Sequence, residues 1–440
     1  MIDNKMLEKF ESKFTNQDKA IMGSIAKNGI NDSSLNNEIS RRHNHIFNIK
    51  AERGEITSQN SSGRCWMFAA LNTARVDTMK KYNLKTLEFS QNYTLFWDKF
   101  ERSNYFLDAI IENVDKDLDS RLLAFLLNDP LGDGGQWDMF KSILKKYGVV
   151  PKNHMPETFH SSNTAVLRRY LTGMLRFYTS QLREEYQKSK DIEKLKSMKE
   201  EMLYNIYNIL VKSLGNPPKK VNFEYVDKDD KFHNIPEMSP QDFFKEAVGW
   251  NLDDKVSLIN APTKDKPYNS LYTVKYLGNI SEGNPVKYLN LEISKLKSAA
   301  LKSLKDGNPV WFGCDVGKLS ERDLGIMDMD TFNYNLTLGY VPEWTKEKQL
   351  DYYDSALTHA MVFTGVNIDK NGKIINWEVE NSWGEKPGDK GMFSMSDQWF
   401  DEFVYQIMTD KKYLESEDIK YLDGELTSLE PWDPMGALAI

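Results

Sequence analysis

Apolar residues recur at helical spacing between residues 63 and 147. Phe68, Leu71, Val76 and Met79 follow one another at intervals of three to five residues, and further apolar groups occur near residues 95–100 and 122–126. Intervals close to the 3.6-residue helical period place such side chains on one face of a helix. This part of the chain is therefore predicted to be mainly helical.

A long amphipathic pattern extends from Thr164 to Leu214. Its apolar positions mostly keep spacings of three and four residues, the pattern breaks near Ser189, and Gly-Asn-Pro-Pro marks its end. Two long helices are predicted, with an apolar stripe that packs on the body of the protein or on another subunit. We expect at least part of this stripe, including Leu195 and Met202, to form subunit contacts.

The pattern changes after residue 220. Residues 221–290 alternate Tyr, Val and Phe with turn residues, which favours short strands and loops, whereas residues 291–304 have helical spacing. Residues 310–316 form an apolar run typical of a buried strand, and Cys314 within it is interpreted as a structural residue. A further β-type run covers residues 356–365.

The first 50 residues are polar and mixed in charge. A short helix is expected over residues 3–14 and a turn-rich stretch over residues 28–37, in a segment that would form an arm. His43 and His45 lie beside two arginines, without acidic or thiol neighbours in the sequence. A solvated surface is therefore expected there rather than a metal site.

The composition and charge of the chain indicate which partners it does not bind and in which compartment it is expected. The chain has 440 residues, 40% of them hydrophobic, and a net charge of −8, so no general attraction to nucleic acid or an anionic membrane is expected. The first residues lack the apolar region of a signal peptide, no apolar run reaches 18 residues, and two cysteines cannot form a disulfide framework. A cytoplasmic protein without a metal or nucleotide cofactor is expected.

The stretch from Gln59 to Ala70 holds the candidate nucleophile. Cys65 lies shortly after Gly63 and directly before Trp66, at the start of a helical pattern. Helix N-terminal N–H groups and the helix dipole favour a thiolate at such a position. Gln59, six residues upstream, is placed to direct an amide N–H at an oxyanion over the sulfur. The alternative for Cys65 is a small buried core residue.

Three further motifs bear on the same chemistry. Gly134 and Gly135 interrupt the helical pattern beside an aromatic residue, where paired glycines let a backbone approach a ligand; a tight turn without a ligand role is the alternative. His359 begins the β-type run, and a later strand leads to Asn381 and Trp383. An Asn can orient an imidazole without adding charge, and an indole can shield that hydrogen bond from water.

These motifs resemble those of papain-fold cysteine peptidases. Gln59, Gly63, Cys65 and Trp66 are similar to the active-site segment of that family, with Ser62 at the position of its first cysteine, and Leu-Thr-His-Ala and Asn-Ser-Trp-Gly match its other two motifs in order. His359 follows Cys65 by 294 residues, against about 130 to 150 in the family. The excess corresponds to a large insertion, which together with the Pro-Trp-Asp-Pro-Met-Gly ending resembles the aminopeptidase C and bleomycin hydrolase family.

This resemblance implies a fold, an activity and an assembly. The fold would be α+β and papain-like, with a helical part that carries the cysteine, a β-rich part that carries the histidine and asparagine, a large helical insertion and an N-terminal arm. The activity would be that of a cysteine aminopeptidase acting on peptides with a free N-terminus. Cys65, His359, Asn381 and Gln59 would be catalytic, Gly134, Gly135 and Trp383 would contact substrate, and the protein would be a homohexamer with active sites facing an inner cavity. The expected organisation is an N-terminal arm or hook (1–58), a helical part (59–150), an inserted segment that takes part in oligomerisation (151–290), a β part (291–425) and a C-terminal arm in the cleft (426–440).

The C-terminal residues combine a rigid apolar segment with one charge. After Asp433 no residue has an ionisable side chain, so the terminal carboxylate is the only charge there. Apolar or rigid residues precede it: Pro431, Trp432, Pro434, Met435 and Leu438. Docked in the cleft, this tail would block longer substrates and face a substrate α-ammonium, so Ala439 and Ile440 are expected to bind substrate. In the resembled family the enzyme removes its own last residue, which would leave Ala439 with the carboxylate.

Other functions remain compatible with the sequence. A papain-like acyltransferase or amide hydrolase would use the same cysteine and histidine, and a nucleic-acid-binding homologue would have peptidase activity as a secondary role. The acidic net charge disfavours the nucleic-acid-binding role, and the complete set of catalytic residues disfavours an inactive scaffold.

Overall fold

The computed structural model describes residues 1–438, and its first half is mostly helical. The helices of this half are α1 (Asn4–Glu11), α2 (Asn16–Asn28), α3 (Ile30–Ser34), α4 (Cys65–Lys81), α5 (Gln91–Glu112), α6 (Arg121–Asn128), α7 (Trp137–Tyr147), α8 (Phe159–Ser162), α9 (Ala165–Ser189) and α10 (Ile192–Leu214). The predicted helical region and the break between two long helices near residue 189 are confirmed.

The second half is built around strands with short helices between them. Its helices are α11 (Pro240–Phe243), α12 (Ile293–Lys305), α13 (Tyr334–Leu338), α14 (Lys346–Asp351), α15 (Asp397–Phe403) and α16 (Ser416–Ile419). The strands of the whole chain are β1 (Ile49–Lys50), β2 (Val221–Val226), β3 (Phe232–Met238), β4 (Lys255–Ile259), β5 (Ser270–Val274), β6 (Tyr288–Asn290), β7 (Val310–Cys314), β8 (Ser320–Glu321), β9 (Ile326–Met327), β10 (His359–Ile368), β11 (Ile374–Glu380), β12 (Met392–Ser396), β13 (Val404–Asp410) and β14 (Leu426–Leu429).

One large sheet joins most of these strands. Within the described residues its order is β14-β5-β6-β4-β13-β7-β10-β11-β12-β9-β8, with β1 paired to β10, while β2 and β3 form a separate hairpin. The sheet therefore crosses the boundary expected at residue 290, because β4, β5 and β6 precede that boundary and pair into the same sheet. The α+β class, with a helical part that carries the cysteine and a β-rich part that carries the histidine and asparagine, is confirmed.

Helix α4 connects the two parts of the fold. It packs against β10 and β7 as well as against α5 and α7. Alternate residues of β10 face different cores: Ala360 and Val362 join the core around α4, whereas Met361 and Phe363 join a second core under α12 and α15. Cys314 is fully buried in that second core, as its interpretation as a structural residue requires.

The long helices α9 and α10 cover their own chain. Leu195 and Met202 are buried in the core that includes α5, and α10 packs along α5. The expectation that these two residues form subunit contacts is therefore wrong, since periodicity shows that a face is covered but not which chain covers it. Other apolar residues of α9 remain exposed: Val166, Tyr170 and Phe177.

The N-terminal arm differs from expectation in two places. Within the stretch over residues 28–37, residue 28 ends α2 and residues 30–34 form α3, whereas residues 35–37 are not helical. Thr15 with Asp18 forms a capping box that starts α2. His43 is buried, with Nδ1 2.8 Å from Ser394 Oγ and Nε2 3.1 Å from Asp328 Oδ2. The expected solvated surface is wrong for His43 because its partners lie about 300 residues away in the sequence, on and next to the sheet.

The described helices include none with the length and apolar character needed to cross a membrane.

Candidate active site

Cys65 is the first residue of α4. The backbone N–H groups of Ala360, Trp66 and Cys65 itself act to lower the pKa of its thiol. The thiol is nevertheless fully buried, and burial raises the pKa of Cys65 to about 12 against the opposing effect of these donors. The helix start thus supplies the stabilising N–H groups that the sequence predicts, but desolvation outweighs them in this closed arrangement and keeps the isolated thiol neutral.

His359 and Asn381 form the second element of the site. His359 begins β10, next to Ala360, and its Nε2 lies 2.9 Å from Asn381 Oδ1 directly after the end of β11. Because an amide oxygen can only accept, Nε2 carries the proton and donates it, which leaves the Nδ1 lone pair available. The predicted orienting contact between these two residues is present.

Trp383 covers this histidine and completes the motif. The two ring centroids are 4.8 Å apart with an interplanar angle of 32°. Burial lowers the pKa of His359 to about 4, while the hydrogen bond to Asn381 acts in the opposite direction and the charge of Arg322 lowers it further. The imidazole is therefore neutral in this state.

The two neutral groups are candidates for a catalytic pair, because Ala360, whose N–H favours the thiolate, directly follows His359. Transfer of the thiol proton to Nδ1 would create a thiolate and an imidazolium without changing the net charge of the buried site. The backbone N–H groups would favour the thiolate, and Asn381 accepts from the His359 ring. When a proton moves between two buried neighbours, each new charge has an opposite charge beside it, so the free-energy cost of burying a single unpaired ion is avoided.

Gln59 is held in a single orientation beside this pair. Its Oε1 accepts from Ser382 Oγ at 2.7 Å, and its Nε2 donates to the Ser62 carbonyl at 2.7 Å. A glutamine amide has two N–H bonds, and only one is used in these contacts. The second N–H has no partner among the described residues, and its contact with an oxyanion stays a prediction.

Backbone pairing fixes the segment of Gln59 to the segment of Asn381. Gln59 N–H donates to the Ser382 carbonyl at 2.8 Å, and Gly384 N–H donates to the Thr57 carbonyl at 3.0 Å, on either side of a bridge between Ser58 and Trp383. These two hydrogen bonds, which make up that bridge, hold the segment of Gln59 beside the segment of Asn381.

Ser62 stabilises the turn that precedes the nucleophile. Its Oγ donates to the Gln59 carbonyl at 2.6 Å and accepts from Arg64 Nε at 2.8 Å. Arg64 in turn binds both carboxylate oxygens of Glu157, at 3.0 and 2.8 Å. A hydrogen-bonded serine thus occupies the position at which the resembled family has a cysteine.

The loop with Gly134 and Gly135 is tied to the cysteine helix. Trp66 Nε1 donates to the Asp133 carbonyl at 2.8 Å, and Lys99 Nζ lies 2.8 Å from Asp133 Oδ1. Burial alone would raise the pKa of Asp133, but the Lys99 ammonium holds it well below its usual range. A Cβ on Gly135 would lie 2.5 Å from the Trp66 indole, so close packing requires glycine there. Contact of these glycines with substrate stays a prediction.

The C-terminal tail reaches the same loop. Gln136 Nε2 donates to the Ala437 carbonyl at 2.7 Å. Leu438 enters a cavity of about 180 Å³ that Phe106, Phe125 and Gly132 also line. The tail is therefore beside the Gly134–Gly135 segment up to its last described residue, whereas Ala439 and Ile440, the residues expected to bind substrate, lie outside the described residues.

A buried ion pair behind the site was not apparent from the motifs. Arg75 of α4 and Glu380 of β11 form a 2.8 Å contact with side chains 1% and 2% exposed, and Asn72 Nδ2 donates to the same carboxylate oxygen at 2.8 Å. The pair links the helix of Cys65 to the strand that ends at Asn381. The sequence alone does not single this pair out, because Asp77 lies on the same helix as Arg75 and Glu378 lies on the same strand as Glu380.

The chain is similar to known peptidases over nearly its whole length. A family model described as the peptidase C1-like family matches residues 1–436. Aminopeptidase C of Listeria monocytogenes is 50% identical over 438 residues, which cover 99% of this chain and 98% of that protein. Bleomycin hydrolase of Gallus gallus is 43% identical over 399 residues, covering 89% of this chain and 88% of that protein. The crystal structure of pepw from Lactobacillus rhamnosis HN001 superposes with a TM-score of 0.98 and 46% identity, covering 100% of this chain and 99% of the other.

Proposed function

The chain belongs to the peptidase C1-like family, and from this membership and the site's geometry we propose that it is a cysteine aminopeptidase that removes N-terminal residues from peptides. One observation carries the assignment of the chemistry. Cys65 begins α4, the Ala360 N–H favours its thiolate, and His359, the residue before Ala360, is oriented by Asn381. A thiol, a base and an orienting amide in this arrangement are the requirements of nucleophilic acyl transfer.

The proposed reaction proceeds through a thioester. His359 Nδ1 takes the thiol proton, and the Cys65 sulfur attacks the carbonyl carbon of the first residue of the peptide. The free N–H of Gln59 and the Cys65 backbone N–H stabilise the oxyanion. His359 then protonates the leaving amine, the C–N bond breaks, and a water deprotonated by His359 hydrolyses the thioester and restores the thiol.

Hydrolysis of matched amides tests this function. An aminoacyl aminocoumarin amide with a free amine should be cleaved, and its N-acetyl counterpart should be cleaved far more slowly. Added amine acceptors should not divert the acyl group at low concentration; transfer to the acceptor as the main product would favour an acyltransferase. Equal cleavage of both amides would refute the aminopeptidase assignment.

Selectivity for a free N-terminus is proposed to come from the C-terminal tail. Three contacts hold the tail before its last residues: Lys266 Nζ pairs with Asp433 at 3.0 Å with the lysine 2% exposed, Arg121 lies 3.9 Å from the centre of the Trp432 ring, and Gln136 binds Ala437. A tail fixed at these points blocks the cleft beyond the first substrate residue and presents its carboxylate to the α-ammonium. An opposed pair at about 4 Å is worth about 4 kcal/mol at a partly shielded site.

Shortening the tail tests its role. Deletion from Met435 onward, as well as a milder deletion of residues 437–440 that keeps the buried Met435, should weaken cleavage of the free-amine substrate and open the site to N-blocked peptides and internal bonds. A variant extended by one residue at its C-terminus is the matched control, because it keeps the whole tail but displaces the terminal carboxylate. A shortened enzyme that still requires a free amine would show that the tail is not the selector.

Self-association is part of the same proposal. The exposed apolar residues Val166, Tyr170 and Phe177 lie along one side of α9, and α1 has no buried residue although it carries Met6, Leu7 and Phe10. Exposed apolar surface of this kind marks protein contacts. We assign these surfaces to a homohexamer, which the sequence resemblance implies and which a molar mass in solution would test.

We also place the enzyme in the cytoplasm. Its two cysteines, Cys65 and Cys314, are both free and buried, as is usual in a reducing compartment. Fractionation of the cells that produce the protein would test this location.

A further inference from the structure

An arginine lies beside the catalytic histidine without taking part in the four predicted catalytic positions. Arg322 is exposed in the turn between β8 and β9, and its Cζ is 4.6 Å from the centre of the Trp383 ring. Trp383 is the same indole that covers His359 at 4.8 Å. One ring therefore separates a permanent positive charge from the imidazole.

The turn that carries Arg322 is held in place by backbone contacts. Strand β9 pairs with β12, Gly325 N–H donates to the Arg322 carbonyl at 3.2 Å, and Gly388 N–H donates to the Asp323 carbonyl at 3.1 Å. The backbone that carries Arg322 is thus held by the sheet and by the loop that follows Trp383, and the guanidinium lies over the Trp383 ring.

No carboxylate of the described residues neutralises this arginine. Arg322 forms no ion pair within residues 1–438. The carboxylate of Glu321 is turned back into the hairpin, where it accepts from Leu324 N–H at 2.6 Å. The guanidinium keeps its five N–H donors for a ligand, and its planar fork matches a carboxylate.

The proposed mechanism determines which part of a bound peptide lies next to Arg322. His359 must protonate the leaving amine, so the leaving part of the peptide lies on the histidine side of the site, where Trp383 and Arg322 are found. The tail occupies the other side, next to Gln136. Arg322 therefore faces the second residue of the substrate and not the first.

On this basis, and resting on the proposed function, we propose that Arg322 is a specificity residue that binds a carboxylate on the leaving part of the peptide. The carboxylate has two sources: the C-terminus of a dipeptide, or an acidic side chain on the second residue of a longer peptide. A carboxylate bound there would also offset the repulsion between Arg322 and a protonated His359, since the Arg322 charge acts to lower the pKa of that histidine. The preference should appear in both KM and kcat.

Paired substrates that differ in one charge test the inference. The first pair is alanyl-alanine and its C-terminal amide, and the second pair is alanyl-glutamate amide and alanyl-glutamine amide. We expect the wild-type enzyme to prefer the carboxylate member of at least one pair by about tenfold in kcat/KM, a value discounted for an exposed site. Arg322→Gln should reduce that ratio to near one, and Arg322→Lys should retain part of it.

Two controls make the outcome specific. Lys370→Gln removes a positive charge from the exposed turn at the far end of β10 and should leave both ratios unchanged. The kcat/KM for the neutral member of each pair measures how a substitution affects the reaction when the substrate has no carboxylate. A preference in the first pair alone identifies the C-terminal carboxylate, a preference in the second alone identifies an acidic side chain, and both support the inference.

Other results would overturn it. If the wild-type enzyme cleaves all four substrates without preference, or if Arg322→Gln slows the charged and neutral members equally, Arg322 does not recognise a carboxylate and acts only by supporting Trp383. A wild-type enzyme that cleaves none of the four, nor an aminoacyl aminocoumarin amide, would overturn the proposed function and this inference with it.

Discussion

Replacement of Glu380 by Gln should destabilise the protein and misplace its active site together. Glu380 directly precedes Asn381. Among the described residues its carboxylate is the one acidic group paired with the buried Arg75, and Asn72 of the same helix donates a hydrogen bond to the same carboxylate oxygen. Glutamine retains an oxygen that can accept from Asn72 but removes the negative charge. The Arg75 guanidinium then stays buried without a counter-ion.

The expected loss of stability is large because both side chains of the ion pair are buried. Removing one partner of a fully buried ion pair costs about 3 to 5 kcal/mol, which is a large share of the total of about 5 to 15 kcal/mol that holds a typical protein folded. Glu378, two residues earlier on the same strand, is the matched control. Its partner Lys50 is half exposed at 51%, so water can solvate the ammonium after Glu378→Gln, and a loss of about 1 kcal/mol or less is expected.

Urea unfolding and steady-state kinetics together measure this prediction. Glu380→Gln should lower the unfolding midpoint much more than Glu378→Gln and should also lower kcat/KM, because Asn381 is displaced with its strand. Adding Arg75→Met to Glu380→Gln should recover part of the stability, since no uncompensated charge remains. Equal midpoints for Glu380→Gln and the wild type would refute the role of the pair.

Three further predictions concern the histidine and the assembly. Asn381→Ala should lower kcat/KM by about a hundredfold through loss of imidazole orientation, and steady-state rates equal to wild type or as low as those of a Cys65 variant would contradict this. The free energy of unfolding should fall by about 2 kcal/mol between pH 7 and pH 5 from His359 alone. The pKa of His359 is about 4 in the folded protein and about 6.5 in the unfolded chain, so the unfolded chain binds more protons in this pH range. The His359→Gln variant should lack this part of the pH dependence. Phe177→Glu should shift the molar mass in light scattering toward smaller species while leaving the secondary structure intact, whereas Leu195→Glu should unfold its own subunit; a wild-type mass for Phe177→Glu would exclude α9 from the assembly.

The candidate catalytic residues could be named from the sequence because each lies in a short motif that is complete there. Cys65, His359 and Asn381 each have neighbours that match a chemical requirement: a helix start, a strand start and a strand end. Local pattern also predicted α9, α10 and α12 well, since amphipathic spacing and terminating glycines or prolines act over a few residues.

What the sequence did not predict depends on long-range contacts. The burial of His43 requires Asp328 and Ser394, and the pairing of Arg75 requires Glu380, in each case across about 300 residues. The resting protonation of Cys65 depends on how completely the folded chain excludes water from the sulfur, which no local motif encodes.

Loss of a single sulfur tests the mechanism, with the second cysteine as its control. Cys65→Ala and Cys314→Ala each remove one fully buried thiol, so both can be compared with the wild type for hydrolysis of an aminoacyl aminocoumarin amide at equal concentration of folded protein. We predict that Cys65→Ala abolishes turnover and labelling by a thiol-reactive aminoacyl chloromethyl ketone, while Cys314→Ala keeps both. Turnover by Cys65→Ala near the wild-type rate, or labelling that disappears only in Cys314→Ala, would contradict the assignment of Cys65 as the nucleophile.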